Sequence, residues 1–148
     1  MEIATMSFWK KPLSLDELTR MNKGTAAEHL GIEFLDIGEK TITARLPVDS
    51  RTRQPFGVIH GGVNVVLAET LGSCAAYHAS PLGFHCVGLD INANHMAAVR
   101  TGFVTGVTYP LHVGGSTHVW AIDLKDDHGK LTCVSRLTVA ILRDKSPS

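Results

Sequence analysis

A chain of 148 residues with 14 basic and 14 acidic side chains has the length of one domain and no electrostatic footprint for nucleic acid. Its apolar fraction of 44% excludes a disordered polymer, and no apolar stretch reaches the length that crosses a bilayer. Met1 to Leu13 lacks a cationic region followed by an apolar core, so no secretory signal is expected and the cytoplasm is the expected compartment.

The first predicted element is a short helical segment at about 14–30, started by Ser14 or Asp16, interrupted at Asn22-Lys23-Gly24 and ended by Gly31. Leu18, Met21, Ala26 and Leu30 are its expected inward residues. Ile32–Asp36 and Thr41–Leu46 read as a hairpin around Gly38, with Ile42, Ala44 and Leu46 on one face. A polar connection, Pro47 to Phe56, leads to a long apolar helix at about 61–78, closed by Ser80-Pro81-Leu82-Gly83. Beyond it the apolar period changes from 3.6 to 2. Four strands are expected: Phe84–Ile91, Val99–Tyr109, Thr117–Leu124 and Leu131–Leu142. The second alternates Val99, Thr101, Phe103, Thr105, Val107 and Tyr109 on one side. The third presents His118, Trp120, Ile122 and Leu124, and the fourth Leu131, Cys133, Leu137, Val139 and Ile141. Strands that follow one another without helices pair mostly antiparallel, so an α+β domain spanning 1–148 is expected, its sheet packed on the long helix. Apolar residues on both strand faces make a second subunit a natural cover.

Cys74, Cys86 and Cys133 are odd in number and widely spaced, which fits buried thiols better than a disulfide framework or a zinc site. None of the eight histidines has a metal-ligand spacing, so neither metal nor organic cofactor is expected.

The chemistry concentrates in Gln54-Pro55-Phe56-Gly57-Val58-Ile59-His60-Gly61-Gly62 and the helix behind it. A helix that starts in glycine offers free amide hydrogens to a polarised carbonyl oxygen. Glu69 sits in the apolar middle of that helix, where an acid is costly unless paired or used. Ser73, four residues on, shares its face. By pattern alone Glu69 is either a thioester-reactive carboxylate or a structural acid, and His60 either a site residue or a helix-start histidine. Ser73 equally fits a back-bonded helix serine, and Gly57, Gly61 and Gly62 fit turn geometry. Asp90–His95 and His112–Ser116 read as binding rims or as polar turns.

Together with Leu67–Ser73, Gly88–His95 and Pro110–Gly114, that run resembles the bacterial hotdog-fold acyl-CoA thioesterases. The group most like it includes the menaquinone-pathway 1,4-dihydroxy-2-naphthoyl-CoA thioesterase and the proofreading thioesterase of enterobactin synthesis. The likeness spans Trp9 to Ile141. It implies a curved antiparallel sheet wrapped around one long central helix, a dimer with shared active sites, and assembly into a homotetramer. It also implies hydrolysis of an acyl-CoA or acyl-carrier-protein thioester, the acyl group aromatic or of medium length. Carried over residue by residue, Glu69 is the catalytic carboxylate, acting as nucleophile or general base. Gly61 supplies the amide that polarises the carbonyl, Gln54 and His60 flank the thioester, and Ser73 assists Glu69. Gly62, Asn94, His95, Arg100, His112, Gly115 and Ser116 are the expected substrate-binding residues, with Val65 and Met96, which fit core packing equally, as pocket candidates beside them. The arginine that close relatives carry soon after Asn-x-Asn-His is absent here; Met96-Ala97-Ala98 stands in its place and the next arginine is Arg100. A hotdog dehydratase or hydratase and a non-catalytic acyl-CoA-binding protein are the alternatives.

Overall fold

The computed structural model describes residues 7–146. Ser14 starts the first helix, α1 (Leu15–Met21), its hydroxyl accepting the Glu17 N–H at 3.1 Å. Gly24, at φ +73°, breaks the segment as expected, and α2 (Ala26–His29) completes it. Of the four residues expected to face inward only Leu18 is fully buried; Met21 and Ala26 are exposed and Ala27 is buried instead, because the break rotates α2 relative to α1.

The hairpin forms from β1 (Glu33–Ile37) and β2 (Ile42–Pro47), with Ile42, Ala44 and Leu46 buried. The long helix, α3, runs Gly61–Ala79. Its C-terminal end is held by Lys11, a buried cation whose Nζ donates to the carbonyls of Tyr77 (2.8 Å), Ser80 (3.2 Å) and Phe84 (2.9 Å). A positive charge there complements both the helix dipole and its orphan carbonyls. Burial lowers the Lys11 pKa from its ordinary value.

Four strands complete the chain: β3 (Phe84–His95), β4 (Phe103–Val113), β5 (Thr117–Lys125) and β6 (Leu131–Arg143). All pairings are antiparallel, in one six-stranded sheet of order β1-β2-β4-β5-β6-β3. This is the expected α+β hotdog architecture, with α3 lying against β2 to β6.

Two strands differ from the periodicity reading. Asp90–His95 is strand rather than a polar rim, because β6 pairs with it residue by residue, from Asp90↔Thr138 to His95↔Cys133. Val99 to Gly102 lies outside β4, since Gly102 takes φ +76°, and β4 continues instead through Pro110 to Val113. The missing N–H of Pro110 is accommodated where the β4–β5 register shifts between Pro110 and His112. The alternating set Thr105, Val107 and Tyr109 faces away from α3; Val104, Gly106 and Thr108 are the buried side. A Cβ on Gly106 would meet Leu71 at 2.8 Å and Leu124 at 2.7 Å, so glycine sets how closely helix and sheet approach.

Trp120, Ile122, Leu124, Leu137 and Val139 are fully buried between sheet and helix. Cys74 and Cys133 are buried and Cys86 is half-buried, all three as free thiols; burial pushes Cys74 up to about 11, leaving it protonated and unreactive. Among the described residues no helix is long and apolar enough to cross a membrane, and no three His, Cys, Asp or Glu side chains gather to hold a metal ion.

The two sheet edges differ. β1 is short and bulged between Phe34 and Asp36. β3 has 12 residues, is paired only to β6, and exposes Val87 (44%) and Leu89 (62%). A long apolar edge of this kind is a template for another strand.

Candidate active site

The first turn of α3 is organised by His60. Its Nδ1 accepts the Gly62 N–H at 2.9 Å, while its carbonyl accepts from Val63 N (2.9 Å) and Asn64 N (3.2 Å). The Gly61 N–H is left without a partner among the described residues. It opens into a cavity of about 370 Å³ lined by Gln54, Val58, Ile59, Asn64, His95, Met96, Ala97 and Ala98. The Gln54 loop is shaped by Gly57, at φ +80°, and the Gln54 Oε1 accepts the Phe56 N–H. Arg100, exposed, donates from Nη1 to the Phe56 carbonyl at 3.2 Å and so braces the same loop.

His95 comes to this cavity from the end of β3. Its Nε2 lies 3.0 Å from where a Cβ on Gly61 would stand, and Asn64 Nδ2 reaches its Nδ1 at 3.3 Å. The sequence reading placed His95 on a rim and missed Asn64 altogether. The available signal was a second polar side chain in the apolar helix, three residues after Gly61.

Glu69 and Ser73 lie elsewhere. They line a separate cavity of about 310 Å³ with Asn22, Thr25, Ala26, Ala27, Thr70 and Cys74. Among the described residues the half-buried Glu69 carboxylate has neither an ion pair nor a hydrogen bond. Eight residues of helix separate it from Gly61, about 12 Å of axial rise. A base must come within hydrogen-bond reach of the reacting atoms, directly or through one water, so Glu69 and the Gly61 amide of one chain stand too far apart to serve one reacting group.

Gly88 of β3 faces the Glu69 carboxylate: a Cβ there would stand 2.7 Å from Glu69 Oε1. Gly88 has no left-handed φ, so alanine fits the strand but not the carboxylate. Gly88→Ala is expected to lower kcat of a carboxylate-dependent reaction by about tenfold, with Tm nearly unchanged, as steady-state kinetics beside a thermal melt will read.

Of the other expected binding residues, Met96 lines the Gly61 cavity, Gly62 stands exposed beside it and Val65 is half-buried one turn further along α3. Asn94 does not join them; it lines a different cavity with Asn92, Tyr109, Leu111 and Arg136. His112, Gly115 and Ser116 are exposed around the β4–β5 turn. The register His118↔Val139↔Gly88 puts that turn level with the Glu69 end of β3, away from His95. A larger cavity of about 800 Å³, between α1, α2 and the β1–β2 hairpin, contains none of these site residues.

Residues 56–133 match the family model described as the thioesterase superfamily, more than half the chain. The chain belongs to the thioesterase superfamily. This thioesterase is 49% identical over 134 residues to the 1,4-dihydroxy-2-naphthoyl-CoA hydrolase of Escherichia coli, covering 90% of this chain and 98% of that one. It is 45% identical to the proofreading thioesterase EntH of Cronobacter turicensis, over the same shares of the two chains. The crystal structure of a Haemophilus influenzae thioesterase superposes on it with a TM-score of 0.90 at 48% identity, covering 92% of this chain and 95% of that one. The hotdog fold and thioester hydrolysis expected from the sequence therefore hold.

Proposed function

We propose that this thioesterase hydrolyses acyl-CoA at sites built from two copies of the chain, each combining Gly61 of one with Glu69 of the other. The observation that carries the reading is the separation of two groups that lack partners among the described residues, the amide at Gly61 and the carboxylate at Glu69, in different cavities. β3, the long exposed edge, supplies a way to join them. A two-fold axis pairs a strand with an antiparallel copy of itself. The His95 end of one β3 then faces toward the Gly88 end of the other, bringing the amide half-site of each chain to the carboxylate half-site of its mate.

In such a site the thioester carbonyl oxygen rests on the Gly61 N–H. Glu69 supplies the electron pair, by direct attack or through a water it deprotonates. The carbonyl becomes tetrahedral, its oxyanion held by the amide and the helix dipole, and the carbon–sulfur bond breaks to release coenzyme A. With direct attack, water then hydrolyses the acyl-enzyme anhydride; with water attack, the acid forms at once. His60 holds the first turn in shape, Gln54 borders the thioester and Ser73 stands beside Glu69. His95 and Met96 border the acyl cavity, and Arg100 is the exposed cation available to the phosphates of coenzyme A. The His112–Ser116 turn, level with Glu69, meets that rim only across the two chains. Pairing of the outer sheet faces, where Tyr109, Leu111 and Val113 are exposed, would make the homotetramer. The name of the E. coli relative, a 1,4-dihydroxy-2-naphthoyl-CoA hydrolase, favours an aromatic acyl group on coenzyme A, with a carrier-protein ester as the second carrier.

The test is thiol release from benzoyl-CoA, 1,4-dihydroxy-2-naphthoyl-CoA, hexanoyl-CoA, palmitoyl-CoA and an acyl-carrier-protein ester, each run beside Glu69→Gln. Turnover of one acyl class that vanishes in the variant is expected. No release from any ester by the folded protein would overturn the reading.

A further inference from the structure

Asn64 is 2% exposed, and its amide is half used. Nδ2 reaches His95 Nδ1 at 3.3 Å, while the buried Oδ1 has no partner among the described residues. Turning the amide over would place Oδ1 at the ring and leave both Nδ2 hydrogens unpaired; as it stands one Nδ2 hydrogen and Oδ1 lack partners among the described residues, and a buried unpaired acceptor is better tolerated than a second unpaired N–H. With Nδ2 turned to the ring, its hydrogen goes to Nδ1, which accepts it. A neutral imidazole that accepts at Nδ1 carries its proton at Nε2. Nε2 is the His95 atom nearest the position a Cβ on Gly61 would take.

We propose that Asn64 is a positioning residue: it fixes His95 in the Nε2–H form, so that this N–H stands beside the Gly61 amide as a second donor to the thioester carbonyl oxygen. The inference rests on the thioesterase site described above and names what completes its oxyanion-binding half. A lone amide is a weak electrostatic trap; two converging donors held rigidly are the arrangement that stabilises developing negative charge. The unpaired Oδ1 points the same way. An apolar side chain of similar volume would pack at this position without burying an unsatisfied acceptor, so folding alone does not favour asparagine here.

Two measurements decide it. The first is the ¹⁵N spectrum of the histidine-labelled full chain, with His95 identified by its loss in His95→Ala. The proton is expected on Nε2 in the wild type, and Asn64→Leu should shift the ring toward a mixture of both forms. The second is a kinetic cycle on benzoyl-CoA, or on the best ester of the panel. His95→Ala is expected to lower kcat by about 10²-fold, as loss of one oxyanion donor does, and Asn64→Leu by about tenfold, with KM nearly constant in both. Adding Asn64→Leu to His95→Ala should cost nothing further, because Asn64 acts only through the ring. The Asn64→Leu melt should be no lower than that of the wild type. A wild-type proton on Nδ1, unchanged kcat in Asn64→Leu, or independent losses in the double variant would overturn the proposal. Were the wild type to release no thiol from any ester, the thioesterase reading itself would fall, and the ring spectrum alone would still decide where Asn64 puts the proton.

Discussion

Glu69→Gln is expected to lower kcat for acyl-CoA hydrolysis by about 10³-fold or more while changing KM little. The substitution keeps the shape of the side chain and removes only its capacity to attack or to take a proton. Because the carboxylate makes no ion pair or hydrogen bond among the described residues, no structural partner is orphaned, and Tm should be nearly unchanged. A structural acid would show the reverse, a lowered melt with substantial turnover. Free-thiol release measured beside a melt separates the two, and retention of more than a tenth of wild-type kcat would count against Glu69 as the reacting group.

The second large effect is expected at Gly61. Its Cβ, if present, would stand 3.0 Å from His95 Nε2 and 3.4 Å from both Cε1 and Cδ2, so alanine must push the ring away and fill the space over the free amide. Gly61→Ala should therefore cost about 10²-fold or more in kcat by removing access to the oxyanion donor. Gly61 has no left-handed φ, and alanine is the better helix former, so the fold should tolerate the change. An inactive variant with an unchanged or raised Tm is the expected pair of readings.

The sequence makes some of this legible and hides the rest for identifiable reasons. α3 stands out because the apolar run Val63–Tyr77 follows His60-Gly61, and Glu69 stands out because that run contains no other charge. The inward faces of β2, β5 and β6 are readable because α3 buries one side of each, as at Ile42, Trp120 and Leu137. β3 is harder. Asn92, Asn94 and His95 look like a loop, and only the pairing with β6 makes them strand. β4 misleads because both of its faces alternate plausibly, and the buried one is chosen by Gly106, whose missing Cβ admits Leu67 and Leu71. The Asn64–His95 contact joins positions 31 apart in the chain, and Gly88 touches Glu69 from another element. No local pattern encodes either. The resemblance supplies Gln54, His60, Gly61, Glu69 and Ser73 as a set; the structure puts Gln54 and Gly61 on one cavity and Glu69 and Ser73 on another, with His60 exposed and lining neither.

That division makes the central claim directly testable. Glu69→Gln retains the amide half-site and Gly61→Ala retains the carboxylate half-site. Co-expressing the two inactive variants with different tags, and purifying mixed oligomers through both, places an intact pair in one of the two sites of each mixed dimer. Recovery of about a quarter or more of wild-type turnover is the predicted result for a two-fold dimer with shared sites. Mixed oligomers as inactive as either parent would contradict a site built from Gly61 of one chain and Glu69 of the other.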